Sequence, residues 1–374
     1  MDTTFESQIK GYLLGKYKED AEQLFSQSHI LQYLVHKTKS ANKGAKARGS
    51  FANLYAIYVI VEDYLKHGYD KKPGYNKYEG AQFSALFKRQ RELPFGAKLQ
   101  NHALNSRMNE EFFKFFPTQS GMPPIMRNLE SQRYWFNENY LVITVGQKKI
   151  NIAEDIMHIV EEYVTVKQDN FKQFIEQCET LQSIDSDNSV EVTDFIESLL
   201  APNVDARLFE IVSYSILKFY YKDVHKHIVW GFIGEKLIED YLHLYKTGRT
   251  NANDGGIDFV MKPLGRFFQV TETLDFKKYF LDIEKIERYP LSFVIKSVES
   301  VEDLKEKLRR DAIKTYVIEQ VVEDYLACIE EIINIPILKE YLVILDKRNM
   351  IQEVLKEIIL QSKVEFNYED EDEE

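Results

Sequence analysis

The chain has 374 residues, 44% of them hydrophobic and 29% charged, with 16 glycines and 9 prolines; this is ordinary globular composition, with room for about two domains. A formal charge of -12 excludes a uniformly polybasic coat for nucleic acid, yet six of the acids are consecutive, Glu369 to Glu374, and without them 54 acids face 48 bases. Two distant cysteines, Cys178 and Cys328, exclude a disulfide framework and a cysteine-rich zinc site. No window holds about 18 uncharged apolar residues, and Met1 to Glu6 lack a basic stretch followed by an apolar one, so neither a membrane span nor a secretion signal is expected. A reducing cytoplasm is the expected setting.

Taken in chain order, residues 1–200 read as mostly helical. Phe51, Leu54, Tyr55, Tyr58, Val59, Val61 and Leu65 have the apolar recurrence of a helix face. Two locally basic stretches flank that helix. One carries Lys37, Lys39, Lys43, Lys46 and Arg48 with no acid; the other carries Lys88, Arg89, Arg91, Lys98 and Arg107 against Glu92 alone. Phe112, Phe113, Phe115 and Phe116 read as core. The segment from Pro123 to Gly146, which includes Arg127 and Arg133, reads as turn-rich with a strand over 140–145. Loop-forming residues at 184–205 mark a soft boundary, and the last residues, 363–374, read as an acidic tail without structure of their own.

Beyond the boundary the periodicity predicts a helix over 206–221 and a second over 228–246, with Trp230, Ile233, Leu237, Ile238, Tyr241 and Tyr245 on one stripe and Gly248 as its stop. Short apolar runs then predict strands at 257–262 and 266–273, joined by the turn-forming Pro263-Leu264-Gly265. A helix around Phe276 to Ile286, a strand at 291–296, a long helix over 301–334, a strand at 341–346 and a helix to about 360 complete the pattern. The expected fold class is therefore α/β (α+β), with a helical region over 1–200 and a mixed α/β core over 206–362.

The stretch richest in chemistry runs from Thr247 to Glu272. Gly255-Gly256 allow a close backbone turn, and Asp258 follows at a strand start. The hairpin returns Gln269, Thr271 and Glu272 to the neighbourhood of Asp258, while Glu235 and Glu239 stand on the predicted upstream helix. Oxygen ligands converging in this way suit Mg²⁺. Asn251, Asn253 and Gly256 also fit the first positions of a calcium loop, but Lys262 falls where that loop needs a glutamate, so the calcium reading fails. His225 and His227, with no third ligand in view, read as surface residues.

A helical glutamate, then Asp254-Gly-Gly-Ile-Asp258, then a hairpin ending Phe268-Gln-Val-Thr-Glu272, resembles the core of PD-(D/E)XK nucleases, closest to the Mrr-like and type II restriction enzymes. The wording from Asn253 to Thr273 is also similar to ApaLI-like restriction endonucleases, which cut a short palindrome. The resemblance spans about residues 206–350 and implies a mixed central sheet flanked by helices. It implies Mg²⁺ held by Asp258 and Gln269, with Glu235 as the helix acid. Thr271 falls where a catalytic lysine is expected. Either the lysine comes from elsewhere, with Lys262, Lys277 and Lys278 as candidates, or the register differs by one and Glu272 is the acidic ligand.

What the resemblance implies is a Mg²⁺-dependent type II site-specific deoxyribonuclease acting on double-stranded DNA. A palindromic target implies a homodimer, and a restriction system implies a cognate DNA methyltransferase. Lys43, Lys46, Arg48, Arg89, Arg91, Arg107, Arg127 and Arg133 are the candidate DNA contacts, since cations release counterions from phosphate and arginine reads guanine edges. Two alternatives stay open: a DNA-binding or adaptor protein with a decayed core, and a structure-specific nuclease of repair or recombination.

Overall fold

The computed structural model describes residues 4–44, 49–183, 189–224, 227–247, 257–316 and 318–366. The fold is mixed α/β and divides into two compact units, Met1–Phe174 and Ile175–Glu374. Among the described residues no helix is long and apolar enough to cross a membrane. Lys46, Arg48, His225, Gly248 and the Gly255-Gly256 pair lie outside the described residues, as do the six terminal acids.

The first unit contains helices α1 (Phe5–Tyr17), α2 (Ala21–Gln27), α3 (His29–Thr38) and α4 (Phe51–Lys66), strand β1 (Ala81–Gln82), and helices α5 (Phe83–Glu92) and α6 (Met108–Phe115). Strands β2 (Ile125–Asn128), β3 (Arg133–Phe136), β4 (Val142–Val145) and β5 (Lys148–Asn151) follow, then α7 (Ala153–Gln182), within which the division between units falls. Every residue of α4 from Asn53 to Val61 is buried, so this helix is surrounded on all sides, which its nearly uncharged sequence permits. The strand expected at 140–145 is shorter, because Glu138–Tyr140 form a 3₁₀ turn ahead of β4. At the start of α7 the buried Asp155 carboxylate accepts from the Tyr12 hydroxyl at 2.9 Å, the Tyr17 hydroxyl at 2.6 Å and the Lys16 ammonium at 2.6 Å, which ties α1 to α7.

The second unit holds α8 (Ser189–Ser198), α9 (Ala206–Phe219), β6 (His227–Trp230), β7 (Ile238–Tyr241), β8 (His243–Lys246), β9 (Phe259–Lys262), β10 (Arg266–Thr271) and α10 (Phe276–Lys285). It continues with β11 (Leu291–Ile295), α11 (Val301–Ile313), α12 (Glu319–Ala327), β12 (Ile329–Asn334), α13 (Ile335–Asp346) and α14 (Ile351–Phe366). Five strands form one mixed sheet in the order β12-β11-β10-β9-β8. β8, β9 and β10 run antiparallel as a meander, whereas β10, β11 and β12 are parallel. Gly265, at a φ of 69°, makes the β9–β10 turn in the left-handed region that glycine tolerates.

Helices cover both faces. Phe259 and Phe268 point to α9 and the turn after it, meeting Tyr214 and Tyr221 with ring centroids 5.3 and 5.9 Å apart. Leu291, Phe293 and Ile295 of β11 point the other way, into a cluster with Phe276, Tyr279, Phe280 and Ile283 of α10 and Leu304 and Leu308 of α11. Burying each such side chain contributes about 1.5–3 kcal/mol. All five residues of β11 are buried, as expected of a strand covered on both faces.

Three expected elements differ. The helix expected over 228–246 is instead a β6–β7 hairpin followed by β8. Its apolar stripe had helical spacing, but Gly234 sits at a φ of 89°, a turn conformation, and β-branched Ile228 and Val229 suit a strand. The long helix expected over 301–334 ends early: Ile329–Asn334 form β12, because Ile332 and Ile333 find a place beside β11. The strand expected at 341–346 is the second half of α13. That helix starts at Asn334, whose side chain accepts from Ile337 N–H at 3.1 Å, and it buries Leu338, Leu342 and Leu345 at helical spacing.

Candidate functional site

The carboxyl ends of β10, β11 and β12 and the start of β9 lie at one end of the sheet. The β9–β10 ladder opens there. Phe259 pairs with Phe268, but the next polar groups of β10 are met by side chains. The Asp258 carboxylate accepts from Val270 N–H at 2.6 Å, and the Gln269 amide donates to Val270 C=O at 3.2 Å. Asp258 and Gln269 thus touch the backbone of the same residue. Gln269 is 8% exposed, and its Oε1 is a buried acceptor without a hydrogen-bond partner.

Thr271, two residues on, shares its strand face with Gln269 and is buried. Its hydroxyl accepts from the Lys278 ammonium at 3.3 Å, across from the first turn of α10. Asp275 fixes that first turn by accepting from Lys277 N–H at 3.1 Å, and the Tyr279 hydroxyl donates to Thr273 C=O at 3.0 Å. Burial pushes the Tyr279 phenol above its ordinary value, which keeps it a donor. Of the three lysines considered for the missing strand lysine, Lys278 is the one brought to Thr271. Lys262 is opposite His243 at the far end of β9, about 13 Å from Asp258 at strand spacing. Lys277 is exposed and lies 6.0 Å over the Phe276 ring.

Glu272 points to the opposite face of the strand. It is ion-paired with Lys296 at 2.6 Å, and Lys296 also donates to Val204 C=O just before α9. Glu235 is not on a helix; it is exposed in the turn between β6 and β7, and Glu239 is exposed on β7. The acid that a helix does bring to this end of the sheet is Glu210, in the second turn of α9. It pairs with Lys246 at 2.9 Å, and Lys246 is opposite Phe259 in the ladder. Glu210 was legible as the sole acid of the helix predicted over 206–221, but the helix predicted over 228–246, with Glu235 and Glu239, stood between it and the strands. Among the described residues no group of three or more His, Cys, Asp or Glu comes together as a metal cage. A cation here would rest on Asp258, the Gln269 amide oxygen and water.

The candidate DNA contacts separate by what they touch. Arg89 grips Glu62 with Nε at 3.0 Å and Nη2 at 2.9 Å, and this pairing raises its pKa further. The Arg91 guanidinium donates to Ala97 C=O at 2.8 Å, that of Arg133 to Gly80 C=O at 2.7 Å, and that of Arg127 to Asn105 C=O. Lys43 and Arg107 are exposed. Phe112 is fully buried as expected of core, whereas Phe115 is 41% exposed and stacks on His36. Compared with family models, with curated proteins and with solved structures, the chain matches none.

Proposed function

We propose that the second unit is a Mg²⁺-dependent endodeoxyribonuclease of the type II restriction class, acting on double-stranded DNA through Asp258, Gln269 and Lys278. The observation that carries this reading is the arrival of Lys278 at Thr271. An ammonium stands where the resemblance expects a strand lysine, supplied by α10 instead. The mixed sheet with helices on both faces supports the same reading.

The donor set fits a hard cation. Asp258 supplies charge, Gln269 Oε1 is a buried oxygen without a partner, and Mg²⁺ needs only one or two carboxylates because it keeps waters. When bound, Mg²⁺ supplies Lewis acidity toward a phosphate oxygen and acidifies a water. Asp258 and Gln269 would hold it at the mouth of the β9–β10 opening. Lys278 places positive charge beside that opening, where negative charge grows on phosphate during hydrolysis. Asp205 and Thr4, in contrast, cap helices, so their oxygens are occupied by backbone N–H groups. A homodimer on a palindromic site, a companion methyltransferase and a cytoplasmic setting belong to the same proposal.

The test is incubation of unmethylated plasmid with the full chain, with Mg²⁺ or with chelator. Discrete fragments are expected, with the rate falling about a hundredfold or more in Asp258→Asn and in Lys278→Met. A second reading has one observation in its favour: the Asp258 carboxylate is already engaged by Val270 N–H, as in a purely structural cap. DNA binding without cleavage under any divalent metal would select that reading, a DNA-binding adaptor with a decayed core. Cleavage confined to branched DNA would select a repair nuclease.

A further inference from the structure

The β6–β7 hairpin forms a sheet of its own and pairs with no other described strand. An isolated two-stranded hairpin is marginal in water. This one is also apolar and exposed: Val229, Trp230, Phe232, Ile233, Leu237 and Ile238 all face solvent, with Phe232 at 73% and Ile233 at 106%. Trp230 and Ile238 are cross-strand partners on one face and Val229 lies on the other, so the hairpin is apolar on both sides, and exposed apolar surface of this kind marks a place of contact.

The two edges of the hairpin are chemically different. β7 carries Glu239 and Asp240 at its centre, and charges of this kind guard a strand edge against further pairing. β6 reads His227-Ile228-Val229-Trp230, with no Lys, Asp, Glu or Pro. Antiparallel pairing of two copies through β7 about a two-fold axis would set Glu239 against its own copy or Asp240 against its own copy, and like charges directly opposite are unfavourable. Pairing through β6 sets Val229 against its own copy and Ile228 against Trp230, or Ile228 against its own copy and His227 against Val229, the β-branched and aromatic cross-strand pairs that stabilise sheets. Nucleic acid fits the arm poorly, because Glu235, Glu239 and Asp240 outnumber Lys236 and repel phosphate.

We propose that the β6 edge is where two copies of this chain associate: β6 joins β6 antiparallel about a two-fold axis, giving a four-stranded sheet across the interface. The arm joins the sheet at the His243–Lys262 end, away from Asp258, so the place of the interface is tested separately from catalysis, and only the expectation of a homodimer rests on the nuclease reading. Sedimentation of the full chain without DNA, over a concentration series, tests it. The wild type is expected to form a dimer at micromolar concentration. Val229→Lys is expected to raise the dissociation constant roughly thirtyfold or more, while Glu239→Lys leaves it unchanged or lower. Amides of 227–230 are expected to exchange more slowly as wild-type concentration rises, and not in Val229→Lys. Both substitutions fall on exposed positions, so an unchanged melting temperature verifies that the fold is intact. A wild type that stays monomeric overturns the proposal, as does a dimer that survives Val229→Lys or one lost in Glu239→Lys. Val229→Lys weakening DNA binding by a chain that is monomeric throughout overturns it in favour of a nucleic-acid contact.

Discussion

Glu272→Gln separates a structural ion pair from a metal ligand. The Lys296 side chain is 4% exposed and that of Glu272 32%, with nitrogen and oxygen 2.6 Å apart. Stripping a fully buried charge of its partner costs about 3–5 kcal/mol. Lys296 keeps the Val204 carbonyl and a position 5.8 Å over the Phe209 ring, so the expected loss is smaller, about 2 kcal/mol. Lys296→Met leaves behind a carboxylate that water reaches, at a cost of about 1 kcal/mol. The double variant is expected to lose less than the two single losses together, because they share one interaction. Urea unfolding monitored by circular dichroism, fitted with a transition for each unit, reads these values. The same Glu272→Gln protein is expected to keep plasmid cleavage within a few-fold of wild type, unlike Asp258→Asn. Stability unchanged with cleavage abolished would refute the reasoning and make Glu272 the acidic ligand of the alternative register.

Two further predictions concern the first unit. Arg89→Met is expected to cost about 1 kcal/mol at most, since Arg89 is 37% exposed, and to leave DNA affinity intact. Lys43→Ala or Arg107→Ala should instead each lower the salt slope of DNA binding by about one; equal losses of affinity for Arg89→Met would remove the distinction. Burial pushes the Tyr140 phenol up to about 12 from an ordinary value near 10. A raised pKa means that its contribution is fully present below pH 10 and is lost as pH rises from about 10 toward 12. Tyr140→Phe is expected to flatten that alkaline limb in pH-dependent urea melts, and an unaltered slope would count against it.

What the sequence made legible follows from local chemistry. The β9–β10 hairpin was readable because Pro263-Leu264-Gly265 carry turn chemistry and the flanking runs are apolar. β11 was readable because a strand covered on both faces is a continuous apolar run. Helical spacing misled where it competed with glycine: Trp230, Ile233, Leu237 and Tyr241 fit a helix stripe as well as they fit an exposed hairpin. Burial also decided between strand and helix at Ile329–Asn334 and Tyr341–Asp346. Both segments are rich in Ile and Leu, and what separates them is that one lies beside β11 while the other follows the Asn334 cap. The meeting of Lys278 with Thr271 was readable only as one of three choices, because it depends on how α10 folds back after β10. Glu210 needed the same tertiary information.

The two strand registers left open by the sequence correspond to the two faces of β10. One face presents Gln269 and Thr271, and Lys278 arrives there from α10. The other presents Glu272, and Lys296 arrives there from the end of β11. Each register therefore has an oxygen donor and a lysine, so residue inventory alone does not separate them. Under the proposed reading, electrostatics favours the Gln269 face. On the Glu272 face the charges cancel at 2.6 Å, with the ammonium also spent on Val204, and recruiting either group to a phosphate means breaking a pair that burial has already strengthened. On the Gln269 face the ammonium rests against a neutral hydroxyl at 3.3 Å and the amide oxygen is without a partner. Asp258 caps the Val270 N–H at the rim of that same face because β9 stops short, so the interruption of the ladder that demands a cap is also what opens a path to the strand backbone. The proposed reading places the chemistry on this face, where the ladder ends and Lys278 meets a neutral hydroxyl.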